Sequence, residues 1–122
     1  MSAKPFDFGM LAHFTGCDQL TRHPLCRSVL YTEGVAYVAE HAGGGAYWLI
    51  DKIATLQMDA FVQAEEFQVW QLFVNNDMTA ALTCGDGNGK SVYSEYLEYT
   101  DFPEPGIKFY VENSTICLPQ ER

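Results

Sequence analysis

The spacing of hydrophobic residues changes from a helical to an extended period near the middle of the chain. Between Ala46 and Met58, apolar residues recur every three or four positions, which predicts an amphipathic helix. The segment 67–74 is instead apolar at both odd and even positions, which is typical of a strand in the centre of a sheet. The chain must therefore combine a helix and a sheet in one structure.

Short turns separate the extended segments that follow residue 66. Gly85–Gly89 is rich in residues that tolerate positive φ, and Asn113-Ser114 is short enough to reverse a final hairpin. Strands so closely connected pair antiparallel. We therefore predict an α+β fold, an antiparallel sheet of about five to six strands with the helix packed on it. The expected strands are 67–74, 79–84, 91–99, 108–112 and 115–118, with Phe109 and Val111 facing inward in the last hairpin.

The first 45 residues give weaker patterns. We expect a short helix from Pro5 to His13 that ends near Gly16, and a loop over 21–27, where Pro24 disfavours helix. A hairpin of 29–31 and 35–38 around Gly34 is expected next, although its second arm is also compatible with helix. Because no repeat or linker divides the chain, residues 1–122 are expected to form a single domain.

Composition limits the cellular setting. Hydrophobic residues make up 48% of the 122 residues, which is ample for a core. No apolar run approaches the roughly 20 residues that span a bilayer, and the first residues do not resemble a signal peptide. We therefore expect a cytoplasmic protein with no membrane association. Its four cysteines are then expected to be free thiols.

The charge is strongly negative and unevenly distributed. Sixteen acidic and seven basic residues give a net charge of −9, and residues 61–122 alone contribute −7. Direct nucleic-acid binding is not expected, because it depends on Lys and Arg neutralising phosphates. A basic protein surface would be attracted instead. The alternative is that the charge serves solubility alone.

No catalytic, metal or cofactor motif is present in a convincing form. The triple glycine 43–45 lacks the Lys-Ser/Thr of a phosphate-binding loop, and 86–90 departs from a calcium loop at its fifth position, Lys90. A pairing of Cys17 with His41 for nucleophilic catalysis is not visible from sequence. Zinc is not expected either. The spacings between the candidate ligands differ from those of compact zinc modules; these candidates are His13, Cys17, His23 and Cys26.

Acidic residues recur every third position between residues 95 and 104, and tyrosines lie among them. On a strand, Glu95 and Glu98 would point to opposite sides of the sheet, and charges at an edge strand prevent aggregation. The functional interpretation is a surface that binds a partner, since acid and tyrosine together suit an interface. The predicted partner-binding residues are Glu95, Glu98, Asp101, Glu104, Tyr96 and Tyr99.

Five segments resemble a family of small uncharacterised bacterial and phage proteins, defined by a domain of unknown function. They are Leu11–Gly16, Gly45–Asp51, Phe67–Trp70, Tyr99–Pro103 and Leu118–Glu121. The resemblance covers nearly the whole chain but implies no activity or catalytic residue. It does imply a protein carried by phages or plasmids, such as a regulator or an inhibitor of host defence. Cys17 departs from the small polar residue expected there, which further weakens the zinc interpretation.

The favoured function is therefore non-enzymatic. We expect an acidic protein-binding module. The sharpest form of this expectation is an inhibitor resembling anti-CRISPR proteins that occupies the basic nucleic-acid-binding surface of a host protein or nucleoprotein complex. The alternative is a small-molecule-binding or hydrolytic domain with a pocket between the sheet and the Trp48 helix, where His41, Asp51 and Gln68 would converge. A homodimer formed through the terminal strand is a third possibility.

Overall fold

In the computed structural model, which describes residues 8–14 and 19–121, helices cover one face of a seven-stranded sheet. The helices are α1 (Glu33–His41), α2 (Tyr47–Leu56) and the short α3 (Ala60–Gln63), and 3-10 turns lie at Phe8–His13 and Pro119–Glu121. The strands are β1 (Leu20–Arg22), β2 (Leu30–Thr32), β3 (Phe67–Val74), β4 (Ala80–Gly85), β5 (Ser91–Leu97), β6 (Gly106–Glu112) and β7 (Thr115–Cys117). Among these residues, no helix has the length and apolar composition to cross a bilayer.

The sheet is mixed, with the strand order β1-β2-β7-β6-β3-β4-β5. Every neighbouring pair is antiparallel except β2 and β7, which are parallel, with Leu30 opposite Thr115. The α+β class is confirmed. The expectation of an antiparallel sheet of about five to six strands is only roughly matched. Strand β2 pairs parallel with a strand more than 80 residues later, and the three-residue β1 overlaps the region expected to be loop. The extended region after residue 66 supplies the centre of the sheet and its β5 edge.

The expected hairpin around Gly34 does not form, because the residues of its second arm lie in helix α1. Thr32 caps α1, and its Oγ1 accepts a hydrogen bond from the Val35 backbone N at 3.3 Å. Val35, Val38 and Ala39 then fall on one helical face and are fully buried. Gly34 is part of this helix and is not among the glycines with positive φ. A Cβ there would lie 2.6 Å from Leu118 Cδ1, so the close packing of Leu118 favours glycine.

The main amphipathic helix is confirmed as α2, slightly shorter than the predicted 46–58. Its apolar stripe packs into the core with side chains on β3 such as Trp70 and Leu72. Burying each large aliphatic side chain contributes about 2 kcal/mol. The buried residues of the stripe are Ala46, Leu49, Ile50 and Ile53.

The last hairpin also forms as predicted. Asn113 and Ser114 have φ of 54° and 59°, the left-handed values required of a tight two-residue turn. Phe109 and Val111 are buried at 1% and 2% exposure. At the N-terminus, the expected helix over 5–13 corresponds to the 3-10 turn Phe8–His13, while residues 5–7 and the expected end near Gly16 lie outside the described residues.

Strand β3 is central, between β6 and β4, but it is buried on one face only. Gln68, Trp70, Leu72 and Val74 are buried, whereas the alternating residues are half-buried or, at Phe73, 46% exposed. The apolar residues at odd positions of β3 therefore line the sheet face opposite α2. This surface is called the open face below.

Candidate functional site

One row across the open face exposes two aromatic rings. Tyr96 of β5 pairs with Ala81 of β4, which pairs with Phe73 of β3, and Phe73 pairs on its other side with Gly106. Alanine and glycine are too small to cover a neighbouring ring. Phe73 and Tyr96 are consequently 46% and 64% exposed.

Two loops extend this row beyond the ends of the strands. The Thr100 backbone N donates to Met78 O at 2.8 Å, and the Val74 N donates to Pro105 O at 3.0 Å. These bonds hold the segment 98–105 beside the turn that joins β3 to β4. The side chains exposed in the row and in these loops form what is called the acid–aromatic surface: Phe73, Met78, Tyr96, Glu98, Tyr99 and Glu104.

Glu95 does not belong to this surface. It lies on the helix-covered face of β5, where Lys52 Nζ donates to its two carboxylate oxygens at 2.9 and 3.1 Å. The hydroxyl of Tyr93 donates to Glu95 Oε1 at 2.7 Å. The bond from Lys52, followed by that from Tyr93, holds the pKa of the Glu95 carboxyl below its usual value. Glu95, one of the predicted partner-binding residues, is therefore already bound to side chains of its own chain.

Asp101 is exposed, but it too has an internal partner. Its Oδ2 accepts a hydrogen bond from the Gly44 backbone N at 2.8 Å. A Cβ at Gly43 would lie 2.4 Å from Asp101 O, and Gly43 has φ of +58°. The triple glycine therefore lets the loop before α2 contact the segment 98–105. This contact is a structural reason for glycines at these positions.

The three polar groups of the alternative pocket do not converge. His41 is exposed, and its ring centroid lies 4.4 Å from that of Tyr37. Gln68 exchanges hydrogen bonds of 2.8 and 2.9 Å with Gln57 between β3 and α2. A groove of about 350 Å³ does lie between α2 and β5, beside Trp48 and Tyr93, but of the three groups only Asp51 lines it.

His23, a zinc candidate by sequence, is buried with both ring nitrogens engaged. Its Nε2 lies 2.7 Å from Asp51 Oδ1, and its Nδ1 accepts from the backbone N of Leu25 and Cys26 at 3.2 and 2.9 Å. Another of the zinc candidates, Cys17, lies outside the described residues. Within the described ranges, no three His, Cys, Asp or Glu side chains are arranged to hold a metal ion. The contact between His23 and Asp51 spans 28 residues and had no signal in the sequence.

Comparison with known proteins places the chain in a family without assigning it a function. The model of a family of unknown function, DUF6876, matches residues 9–122. No curated protein and no solved structure matches the chain. The chain belongs to the family DUF6876, which confirms the resemblance to a family defined by a domain of unknown function.

Proposed function

We propose that this member of the family is a non-enzymatic module that binds a basic protein surface through the acid–aromatic surface. The observation that carries the proposal is the exposure of four large apolar side chains and two carboxylates on the strand ends and loops at one end of the sheet. Phe73, Met78, Tyr96 and Tyr99 are between 45% and 68% exposed. Glu98 and Glu104 are exposed as well.

The two kinds of side chain have separate tasks in such an interface. Aromatic rings that are exposed in the free protein gain most of the binding free energy when a partner covers them. Carboxylates at the rim attract Lys and Arg and raise the association rate. The net charge of −7 in residues 61–122 extends this attraction beyond direct contact, to roughly the 8–10 Å Debye length at physiological salt.

A narrower form of the proposal concerns the kind of partner. Carboxylates in the loop at this end of the sheet can take the place of phosphates in a groove that normally binds nucleic acid. The partner would then be a host protein or nucleoprotein complex that handles nucleic acid, and the module would inhibit it, as expected of a protein carried by a mobile element.

The test is a pull-down from a nuclease-treated lysate of the source organism with three tagged baits. The first bait is the wild type, and the second reverses the rim charges, Glu98→Lys with Glu104→Lys. The third is a charge-matched control, Glu33→Lys with Glu66→Lys, at exposed carboxylates away from the acid–aromatic surface. Glu95 and Asp101 are left unchanged because each has an intramolecular partner. Circular dichroism verifies that all three baits are folded.

The proposal predicts a basic protein that the wild type and the control retain and the Glu98/Glu104 variant loses. With that protein purified, affinity should fall as salt rises, and the double reversal should flatten this dependence. A Tyr96→Ala variant should weaken binding at every salt concentration. The proposal would be refuted if all three baits recovered the same proteins. It would also be refuted if neither the Glu98/Glu104 reversal nor Tyr96→Ala changed the affinity.

A further inference from the structure

At the other end of the open face, away from the acid–aromatic surface, lies a concavity of about 550 Å³. Side chains of β3, β4 and β6 form its floor, and the turn that joins β4 to β5 forms one wall. Its volume is within the range of small-molecule sites, roughly 300–1,000 Å³. The lining residues that matter for its chemistry are Phe67, Gln71, Thr83, Lys90, Lys108 and Tyr110.

The wall is built by packing of the turn onto an aromatic ring. Gly87 has φ of +86°, and a Cβ there would lie 3.1 Å from Phe67 Cε2. The side chain of Asp86 fixes the turn, since its Oδ1 accepts from the backbone N of Asn88 and Lys90 at 2.7 and 3.1 Å. The turn is therefore held against the Phe67 ring, so the concavity is formed before any ligand arrives.

Two aromatic rings that line the concavity form a pair. The rings of Phe67 and Tyr110 have centroids 5.1 Å apart at an interplanar angle of 60°. Such tilted pairs are stable arrangements, and both rings line the concavity. Both residues come from neighbouring strands in the middle of the sheet, so the pair is rigidly placed.

The concavity contains two of the chain's basic residues. Lys90 and Lys108 both line it, although the chain has only seven basic residues against sixteen acidic ones. Lys90 Nζ is paired with Glu65 Oε2 at 3.2 Å. Among the described residues, Lys108 has no carboxylate within ion-pair distance, and it lies on β6 opposite Gln71. Of the two lysines that line the concavity, Lys108 is therefore the one without a carboxylate partner among the described residues.

We propose that this concavity binds a small ligand with a planar apolar body and one anionic group. The planar body lies against Phe67 and Tyr110, and the anion accepts hydrogen bonds from Lys108 Nζ. Gln71 and Thr83, in the same row of the sheet, offer further donors. A long polyanion is excluded because the acid–aromatic surface, farther along the same face, repels it.

The test uses naphthalene-2-sulfonate as the probe, titrated into the full chain and followed by proton–nitrogen correlation NMR. The expected amide shifts cluster at the strands that line the concavity and at the turn 86–90. Lys108→Gln should weaken the probe about tenfold, the usual worth of a charge-assisted hydrogen bond. Tyr110→Leu should weaken it as well. The matched control is Arg27→Gln, which removes an exposed positive charge outside the concavity.

Two companion probes separate the parts of the proposal. Uncharged 2-naphthalenemethanol should bind more weakly than the sulfonate and should not respond to Lys108→Gln, whereas methanesulfonate should not bind. Shifts scattered over the surface, or an equal loss of affinity in the Lys108 and Arg27 variants, would overturn the site. The Glu98→Lys/Glu104→Lys variant should bind the probe normally, so this test is independent of the proposed protein interface.

Discussion

Lys52 Nζ on α2 lies 2.9 Å from Glu95 Oε1 on β5 and thereby joins the helix layer to the edge strand of the sheet. Tyr93 OH donates to the same oxygen, and this bond, with burial as the second cause, raises the pKa of Tyr93 to about 12. Both side chains of the ion pair are about 30% exposed. The pair fastens the strand that presents Tyr96 on its opposite face.

Breaking this pair should reduce stability in a pH-dependent way. Because the pKa of Glu95 is lowered in the folded state, its contribution is present above the ordinary carboxyl value of 4.5 and is lost as the pH falls through the lowered folded pKa. A double-mutant cycle of Lys52→Met and Glu95→Gln should give a coupling of about 1 kcal/mol or less at neutral pH. Urea denaturation across the acid range measures it, and a coupling that grows on acidification would contradict the assignment.

Glu121 should contribute more to stability than an exposed acid, because it joins the C-terminal turn to the start of α1. Its Oε1 accepts from Thr32 Oγ1 at 2.6 Å and from Leu118 N at 2.9 Å, and its Oε2 accepts from Gly34 N at 3.1 Å. The side chain is only 3% exposed. Glu121→Ala would leave two backbone donors unpaired and should cost about 2–3 kcal/mol in unfolding free energy.

Glu121→Gln tests how much of the stability lost in Glu121→Ala is due to the missing side-chain volume rather than to the carboxylate. The amide retains one acceptor oxygen but places an NH2 group against existing donors, so its cost should lie between those of the wild type and Glu121→Ala. Glu66→Gln, at an exposed carboxylate, is the control and should change stability little. Equal denaturation midpoints for Glu121→Ala and the control would show that the three hydrogen bonds contribute nothing.

Local patterns predicted the elements whose apolar residues are dense and evenly spaced. The stripe from Ala46 onward predicted α2, and the alternation around Phe109 predicted the final hairpin. Both follow from periodicity within about ten residues, which is what a single sequence displays best. The strand expected over 91–99 is present as Ser91–Leu97 and lies at the edge of the sheet.

Contacts between distant residues account for what the sequence did not reveal. Gly34 appeared to mark a hairpin, but it lies in a helix whose first turn is held by Glu121, 87 residues later. The series of acids from Glu95 to Glu104 predicted a partner-binding surface that includes Glu95, yet a lysine 43 residues away binds Glu95. The parallel pairing of β2 with β7 likewise depends on a distant strand with no local signal.

Cys84 should be inert in the folded protein. It is 1% exposed, and burial, followed by the charge of Glu65, raises the pKa of its thiol to about 12. A variant that retains Cys84 as its only cysteine should react with a thiol-specific disulfide reagent only when it unfolds. A variant that retains only the half-buried Cys26 is the control and should react in native buffer. Equally rapid modification of both variants under native conditions would contradict the buried placement of Cys84.

His23 should stabilise the loop before β2 through its acceptor nitrogen more than through Asp51. Because Nδ1 accepts from the backbone N of Leu25 and Cys26, the neutral ring carries its proton on Nε2 and donates it to Asp51 Oδ1. His23→Ala removes both functions and leaves two part-buried backbone donors without their partner, which should cost about 1–3 kcal/mol in total unfolding free energy.

His23→Asn separates the two functions, because the asparagine Oδ1 can replace the imidazole Nδ1 as acceptor while the shorter side chain cannot reach Asp51. It should therefore be more stable than His23→Ala and less stable than the wild type. Asp51→Asn, whose amide can keep a partner for Nε2, should cost least because residue 51 is half exposed at 53%. Urea denaturation at neutral pH ranks the variants. If His23→Asn is no more stable than His23→Ala, the Nδ1 acceptor is not what holds the loop, and the contact with Asp51 or the packing of the ring must do so.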